Sequence, residues 1–477
     1  MRLIKQFLLG TVFTTAALLP FSAHALSLKE AVKVAIETNP EIGQAIANRE
    51  ATEFELQQAL GLYAPRLDLE ASAGAQLSNT PSRRAAGIDD DPLYPGQAGL
   101  TLTYDILDGG FRDSEADRQA ARIDSASFRV LERSEVIGLE VARLYFEILL
   151  QARIVDLARG NVSFHQETLA NVVDAIGSGQ LTEADRQQAT ERLAAASAQV
   201  IHAQEELEAA KIAFARNVGA PFSNPKMPPR VGKHLPRTLA IAVENGINNN
   251  PRIRVAGADV DAASALVDQA EGALGPKLAL EGRGIVGSDN TGSAGYSTDL
   301  SGKLVLRWNL FDGGIKSARV QESIRRESEA LLGQQVAARE VEEAVKVSWD
   351  RIGRQNQLAG AYANQLSASD GLVSSYREQF TIGQRSLLDV LDAQNTRYNV
   401  QVQAETATFA ARFAEYRLMA ATGSLLAYLE LDPPSQSDAY ARDLMGTASV
   451  EDNGTVPVRK VLPLTLNGKL NLSKYSD

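Results

Sequence analysis

The most informative absence in this 477-residue chain is cysteine, of which the sequence has none. This excludes disulfide bonds, thiolate catalysis and cysteine metal sites, and we expect no lipid anchor. Histidine is scarce: the four residues lie at positions 24, 165, 202 and 234, and no two have the spacing of a metal site. A phosphate-binding glycine loop and a Gly-x-Ser-x-Gly run are also missing. We therefore expect a protein that is not an enzyme and that binds no metal and no cofactor.

Long apolar runs are missing too, except at the N-terminus. After position 25 no stretch approaches the ~18 apolar residues of a membrane-spanning helix. Before it, Arg2 and Lys5 precede an apolar core at 7–19, and an Ala-His-Ala sequence ends at Ala25. This pattern predicts a secretory signal peptide over residues 1–25, so we expect the mature chain to be exported.

Basic residues are fewer than acidic residues. The formal net charge is −11, with 48 Lys and Arg against 59 Asp and Glu. A negative surface repels nucleic acid, so we expect no nucleic-acid partner. Aromatic residues make up only 6% of the chain, which favours long packed helices over a bulky globular core.

What the sequence does contain is a duplication. Residues 107–110 (Leu-Asp-Gly-Gly) return at 311–314 (Phe-Asp-Gly-Gly), a shift of 312 − 108 = 204. The Asn-Pro pair at 39–40 returns at 250–251, a shift of 250 − 39 = 211. Blocks repeated at nearly constant spacing predict a tandem duplication and hence two similar structural halves.

The duplication divides the chain into five segments. Residues 1–25 are the predicted signal peptide, 26–220 the first repeat, 221–236 a linker, 237–430 the second repeat and 431–477 a C-terminal segment. Helical periodicity is lost in the last segment, which predicts an equatorial belt around the helices followed by a disordered tail.

Each half begins with a helical pattern and then switches to the two-residue period of a strand. Apolar and polar residues alternate at 67–78 and 100–105, and again in the second half at 278–281 and 304–308. Each half thus supplies two strands of about ten residues, the length that crosses a bilayer when a strand is tilted.

Each half then continues as a very long helical hairpin. No proline occurs in residues 111–176 or in the second copy at 315–380, and about 66 helical residues rise roughly 100 Å. Glycine turns after each long helix return the chain through a second helix, which ends near Gly219 and Gly423. Such antiparallel hairpins are too long for a globular domain and need lateral helical partners.

A short turn joins each second strand to its long helix. Glycine permits the sharp change of direction, and aspartate can cap the helix that follows. We expect structural roles for the six residues of these turns. They are Asp108, Gly109, Gly110, Asp312, Gly313 and Gly314.

Four strands are too few to close a membrane barrel. An open strand edge in lipid leaves backbone groups unpaired, whereas three chains would supply twelve strands, an even number within the observed range. The expected fold is therefore mainly α, with four strands per protomer in a twelve-stranded trimeric membrane β-barrel. The long antiparallel helical hairpins would continue this barrel as a tube.

One further segment is highly specific. Residues 380–393 read Phe-Thr-Ile-Gly-Gln-Arg-Ser-Leu-Leu-Asp-Val-Leu-Asp-Ala. With the duplicated layout and the Asp-Gly-Gly turns, this segment resembles the TolC family of trimeric outer-membrane channel-tunnels over about residues 26–430. The resemblance implies a homotrimer in the outer membrane of a Gram-negative bacterium that contacts lipid and extends into the periplasm. It also implies two export partners, a periplasmic adaptor protein and an inner-membrane transporter of the ABC type or proton-driven.

The same resemblance implies a gate at the periplasmic tip. Asp389 and Asp392 match the acidic rings that line the family's constriction. They are three residues apart on one helix face, so three copies would place six carboxylates around the axis, which favours cations. Arg385 matches the arginine that ties the inner hairpin to the outer one, with Asp185 as its partner. Phe380 stands where the family has a tyrosine that helps to hold the entrance shut.

Alternatives to this interpretation stay open at the level of sequence. Asp389 and Asp392 could be solvated residues at a helix N-terminus, where the helix dipole favours acidic side chains. An exported coiled-coil structural protein or adhesin would also explain the long helices, although not the paired strands. The cargo could be secreted protein or small toxic compounds, and the lack of a lipidation cysteine slightly favours type I protein secretion.

Overall fold

The computed structural model describes residues 26–223, 226–290, 294–447 and 459. The predicted signal peptide and most of the predicted tail after residue 447 lie outside the described residues.

The first half consists of three short helices, two strands and a long helical hairpin. Its elements are α1 (Leu28–Thr38), α2 (Pro40–Gly61), β1 (Arg66–Ala73), α3 (Pro81–Ala86), β2 (Gly96–Leu107), α4 (Phe111–Gly177) and α5 (Glu183–Val218).

The second half repeats the order of two helices, two strands and a long hairpin. Its elements are α6 (Leu239–Asn249), α7 (Pro251–Gly272), β3 (Lys277–Ser288), β4 (Tyr296–Arg307), α8 (Ile315–Thr381) and α9 (Leu387–Ala421). Two short helices follow, α10 (Leu425–Tyr428) and α11 (Ala441–Met445). The predicted fold class, mainly helical with four strands and an internal duplication, is thus confirmed.

The two halves start alike because the same capping residue recurs. Asn39 ends α1, and its side-chain oxygen accepts the backbone N–H of Glu41 in α2. Asn250 links α6 and α7 in the same way, through the N–H of Arg252. In both cases proline fills the first position of the second helix, where its missing N–H costs nothing.

The long helices α4 and α8 have 67 residues each, which corresponds to about 100 Å. The predicted spans 111–176 and 315–380 agree with them to within one residue. Each pairs with its return helix, α5 or α9, so the chain forms two antiparallel hairpins that also contact each other through α4 and α9. None of the helices in the described ranges combines the length and the apolar character needed to cross a membrane.

The four strands form one antiparallel sheet in the order β1-β2-β3-β4. Tyr104 of β2 lies opposite Leu280 of β3, so the two halves share a continuous sheet. Within the described part of the chain, β1 and β4 each have one edge without a strand partner. Such edges expose unpaired backbone groups and need further strands to satisfy them.

One strand is shorter than its sequence pattern. The alternation continues to residue 78, but β1 ends at Ala73, so the last part of the predicted strand 67–78 is wrong. The N–H of Gly74 still donates to the carbonyl of Pro95 at 2.9 Å. Pro95 has no N–H to donate to the carbonyl of Gly74, so the regular ladder between β1 and β2 stops at this pair.

The largest core lies midway along the hairpins, where α1, α5, α9 and α10 meet α4. Aromatic rings with centroids 4.9–6.4 Å apart fill it: Tyr145, Phe146, Phe214, Phe222, Tyr416 and Tyr428. The hydroxyls of Tyr145 and Tyr416 donate to the carbonyls of Lys226 (2.9 Å) and Pro229 (2.7 Å). The segment that connects the halves is therefore fixed to this core.

Three buried carboxylates of the long hairpins bind the backbone of segments outside the hairpins, and all three do so in the same way. Each accepts hydrogen bonds from two successive backbone N–H groups, and hydrogen bonds to a charged acceptor are strong. The pairs are Asp124 with Ala441 and Arg442 (2.8 and 3.1 Å), Glu135 with Leu425 and Leu426 (both 3.2 Å), and Glu415 with Val231 and Gly232 (2.8 and 3.3 Å). No sequence pattern pointed to these residues, because their partners are distant in the chain.

Glu135 leads to a prediction about pH. Burial raises the pKa of this carboxyl to about 7, against a usual value of 4.5. Between these values the folded state binds more protons than the unfolded state, so the free energy of unfolding falls as the pH rises from about 5 to about 8. Glutamine does not ionise, and we expect Glu135→Gln to flatten this fall when thermal unfolding midpoints are measured across the range.

The matched control for this prediction is Glu205→Gln, at an exposed position on α5. It should keep the wild-type slope of midpoint against pH. Equal slopes for wild type and Glu135→Gln would contradict the role given to burial.

Candidate functional site at the hairpin tips

The two hairpins end in equivalent turns. Gly179 and Gly383 adopt left-handed backbone angles, with φ of 76° and 74°, which glycine adopts without strain. The return helices then begin with the same capping box, Thr182 with Asp185 in α5 and Ser386 with Asp389 in α9. The duplication thus places Asp185 and Asp389 at equivalent positions, 389 − 185 = 204 residues apart.

An apolar cluster joins the two tips. Val172 of α4, Ala189 of α5, and Leu387 and Leu391 of α9 are buried together, and Phe380 packs against them. Beside this cluster lies a cleft of about 880 Å³, which Phe380 also lines. Phe380 therefore contributes to the contact between hairpins by packing, since its ring offers no hydroxyl to donate.

Asp389 is held by its own helix. Its Oδ2 accepts hydrogen bonds from the Ser386 hydroxyl at 2.8 Å and from the Ser386 N–H at 3.3 Å. The Arg385 guanidinium lies 4.0 Å away, over the ring of Tyr376 at 4.3 Å from its centroid, and its Nε donates to Gln379 at 2.9 Å. Asp389 therefore caps α9 from a position close to the turn.

Among the described residues of this chain, Arg385 and Asp185 form no ion pair with each other, so their pairing stays a prediction for the assembled copies. The Asp185 carboxylate instead accepts the hydroxyl and the N–H of Thr182, at 2.7 and 2.8 Å. These hydrogen bonds hold the pKa of Asp185 below its usual value. The capping box supplies both partners locally, and Arg385 points toward residues of its own hairpin.

Near the tips, two ion pairs connect the hairpins. Arg192 of α5 lies 3.1 Å from Asp392 of α9, and Arg377 of α8 lies 2.6 Å from Glu167 of α4. Sequence reasoning found Asp392 but missed its partner, along with Arg377 and Glu167. Helical periodicity identifies the faces of one helix, but it does not show which residues of two helices meet.

A buried polar layer lies next to these ion pairs. Gln394 of α9 donates to Asn161 of α4 at 2.8 Å, and Asn161 donates to Gln199 of α5 at 3.3 Å. His165 is only 3% exposed, and burial together with the Arg192 charge lowers its pKa. Among the described residues no group of three or more acidic or histidine side chains could hold a metal ion. The layer is therefore a polar contact between hairpins.

At the opposite end of the long helices, the two Asp-Gly-Gly turns have the same geometry. Asp108 accepts the N–H of Gly110 and of Arg112, both at 3.1 Å. Asp312 accepts the N–H of Gly314 and of Lys316, both at 3.0 Å. The aspartates cap α4 and α8 from three residues before the first helical residue, and the glycines at 109, 110, 313 and 314 all have positive φ.

Comparison with known proteins gives a consistent result. The family profile "Outer membrane efflux protein" matches residues 31–220 and 242–424. The two matched segments coincide closely with the two structural halves.

Among curated proteins, the chain is 23% identical over 427 residues to "Outer membrane efflux protein BepC" of Brucella suis, which covers 88% of this chain and 89% of BepC. It is 26% identical over 422 residues to "Alkaline protease secretion protein AprF" of Pseudomonas aeruginosa, covering 86% of each. It is 23% identical over 431 residues to "Outer membrane protein TolC" of Escherichia coli, covering 84% of this chain and 83% of TolC.

Solved structures show the same fold. The Campylobacter jejuni CmeC outer membrane channel superposes with a TM-score of 0.73 at 15% identity, covering 88% of this chain and 89% of CmeC. The outer-membrane channel OprN gives a TM-score of 0.73 at 19% identity, covering 83% of this chain and 90% of OprN.

Proposed function

Because the chain belongs to the outer membrane efflux protein family, we propose that three copies form an exit duct that leads from the periplasm to the outside. The protein is an outer membrane channel of the TolC type and not an enzyme. The observation that carries the proposal is the open four-stranded sheet at one end of two hairpins of about 100 Å. Three such sheets supply the twelve strands of a closed barrel, and six hairpins continue it as a tube.

The surface of the sheet supports this arrangement. Several leucines of the two edge strands are more than 60% exposed in the single chain, which is unfavourable in water but suits contact with lipid or with a further strand. They are Leu67, Leu69, Leu300, Leu304 and Leu306.

The export partners follow from the family and from what the chain lacks. We infer that a periplasmic adaptor and an inner-membrane transporter deliver the cargo, and that the transporter supplies the energy, since this chain has no phosphate-binding loop. Relatives are named both for efflux (BepC) and for protease secretion (AprF). We favour type I protein secretion, with efflux of small compounds as the second candidate.

The hairpin tips would form the closed periplasmic entrance. Asp389 and Asp392 lie near the turn that would face the axis, and three copies would contribute six carboxylates, which favour cations over anions. Within each copy, the Arg192–Asp392 and Arg377–Glu167 pairs and the packing of Phe380 hold the hairpins together. Arg385 would reach Asp185 between neighbouring copies, since the two do not meet within one chain.

Loosening the contacts between hairpins should open the entrance. Each of the two ion pairs is partly exposed and worth ~1 kcal/mol or less. Removing both therefore costs little folding free energy in one copy, but the contact between hairpins would be weakened in all three copies of the ring. We expect the double variant Arg192→Ala/Arg377→Ala to raise the mean single-channel conductance in planar bilayers. Arg354→Ala, which removes a pair with Asp350 inside α8, is the control and should leave the conductance unchanged.

The proposed function is tested by localisation and mass. The protein is expressed in a Gram-negative host, the membranes are separated by density, and the detergent-extracted protein is sized by light scattering. A three-copy particle from the outer membrane is the expected result. A water-soluble periplasmic protein would overturn the proposal and favour an exported coiled-coil structural protein or adhesin.

A further inference from the structure

His165 is a buried histidine near the hairpin tips, and packing alone does not explain it. Only 3% of the residue is exposed, and its Nδ1 atom is buried without a hydrogen-bond partner among the described residues. An unpaired buried polar atom costs folding free energy, and an apolar side chain in the same place would not carry this cost. The imidazole at this position therefore calls for a functional reason.

His165 lies on the face of α4 that meets the second hairpin. Asn161 and Val172 share this face, four residues before it (165 − 161 = 4) and seven after it (172 − 165 = 7), and both are buried. Asn161 accepts a hydrogen bond from Gln394 of α9 at 2.8 Å, and Val172 is buried together with Leu391 of α9. Because α9 contacts α4 on both sides of His165, separating the two hairpins would give water access to the imidazole.

Two charged residues of α5 act on the imidazole. Burial lowers the pKa of His165 below its usual value of 6.5, and the positive charge of Arg192 lowers it further, while Glu191 raises it. The Glu191 side chain is 67% exposed, so water screens its attraction. Arg192 also lies 3.1 Å from Asp392 of α9. The cation that opposes protonation of His165 is therefore part of the contact that joins the hairpins.

The helix α8 brings a second cation close to the same place. Arg377 lies over the ring of Phe164, 5.2 Å from its centroid, and the rings of Phe164 and His165 meet edge to face with centroids 5.6 Å apart. The carboxylate nearest to Arg377, Glu167 of α4, is already paired with it at 2.6 Å. A proton on Nδ1 of His165 would thus have arginines nearby and no acceptor among the described residues.

We propose that His165 is an acid-sensitive latch of the periplasmic entrance, which releases the contact between the hairpins when the imidazole takes up a proton. An imidazolium beside Arg192 would be a buried like-charge pair, and separating the hairpins lets water reach both cations. The open arrangement therefore binds the proton more tightly, and by linkage a falling pH shifts the closed entrance toward the open one. This inference rests on the proposed entrance and adds its regulation.

The duplication shows that the fold does not need histidine at this place. The counterpart of His165 on α8 is Ser369 (165 + 204 = 369), which is 9% exposed. The second long helix therefore buries a small neutral side chain at the equivalent position. Neutral polar replacements of His165 should accordingly fold and assemble, which makes the latch testable by substitution.

The test is the mean single-channel conductance of the purified trimer in planar bilayers, measured from about pH 7.5 to about pH 5.5, a range that spans the usual pKa of histidine. The wild-type conductance should rise severalfold as the pH falls, because one proton per copy shifts the equilibrium by up to about tenfold per pH unit. His165→Gln cannot take up this proton, and its conductance should stay constant. The matched control is His202→Gln, an exposed histidine of the same hairpin, which should keep the wild-type response.

Three results would count against the latch. Wild-type currents that do not change with pH would overturn it and leave the channel standing. A rise in conductance at low pH that survives in both His165→Gln and His165→Ser would assign the response to another group, such as Glu135 with its raised pKa. An absence of current from trimeric protein at every pH would overturn the proposed function and the latch with it.

A second experiment asks whether opening exposes His165. Diethyl pyrocarbonate modifies accessible neutral imidazoles, and mass spectrometry locates the modified residue. At pH 7.5 His165 should react slowly in the wild type and several times faster in Arg192→Ala/Arg377→Ala, the variant expected to have an open entrance. The exposed His202 is the internal control and should react equally fast in both proteins. If His165 stays unreactive in a variant with raised conductance, opening does not uncover it and the inference is wrong.

Discussion

The variant Arg442→Ala is expected to lose about 3–5 kcal/mol of unfolding free energy. Arg442 on α11 contacts both halves of the chain: Nε lies 2.8 Å from Asp124 of α4, and Nη1 lies 2.6 Å from Asp261 of α7. All three side chains are buried, with no more than 6% of any one exposed. Alanine would leave two interior carboxylates without this cation, and an uncompensated buried charge is costly.

This loss is measured as a shift of the thermal unfolding midpoint of the purified protein in detergent. Leu444→Ala is the control, because Leu444 lies on the same short helix and is exposed. The control should unfold close to the wild-type temperature, whereas Arg442→Ala should unfold several degrees lower. Equal midpoints for the two variants would show that α11 does not stabilise the contact between α4 and α7.

The double variant Asp389→Asn/Asp392→Asn is expected to lose most of the cation selectivity of the channel. Asparagine keeps a side-chain oxygen for the cap at Ser386 but carries no charge. Three copies would lose six negative charges at the entrance, and rings of carboxylates attract cations into a narrow pore. The measurement is the reversal potential of single-channel currents across a salt gradient.

Asp350→Asn is the control for charge, because Asp350 pairs with Arg354 within α8 and away from the tips. It should leave the reversal potential unchanged. If the double variant is as selective as the wild type, Asp389 serves only as a helix cap and Asp392 only as the ion-pair partner of Arg192.

Much of the fold could be predicted because its signals are local. The absence of proline located the long helices to within one residue, and the Asp-Gly-Gly turns marked where α4 and α8 begin. Strand β1 ended early because the residue opposite Gly74 is a proline, which alternation within 67–78 does not reveal. Sequence periodicity describes one segment, whereas a ladder depends on both of its strands.

The parts that could not be predicted depend on contacts between distant segments. Arg192 with Asp392, and Asp124 with Arg442, join helices whose facing sides the sequence does not specify. Asp185 was assigned to Arg385 by resemblance, but the capping box at Thr182 satisfies it locally. Asp185 and Asp389 are equivalent residues of the duplication. Each forms a capping box with the hydroxyl residue three positions before it.

The most direct test of the central claim is the single-channel conductance of the purified wild-type protein in a planar bilayer. We expect stable insertion with small, cation-selective currents, because the proposed narrow acidic entrance would lie in series with a wide tube. No insertion, or no conductance from protein shown to be trimeric, would contradict the assignment of this chain as an export channel.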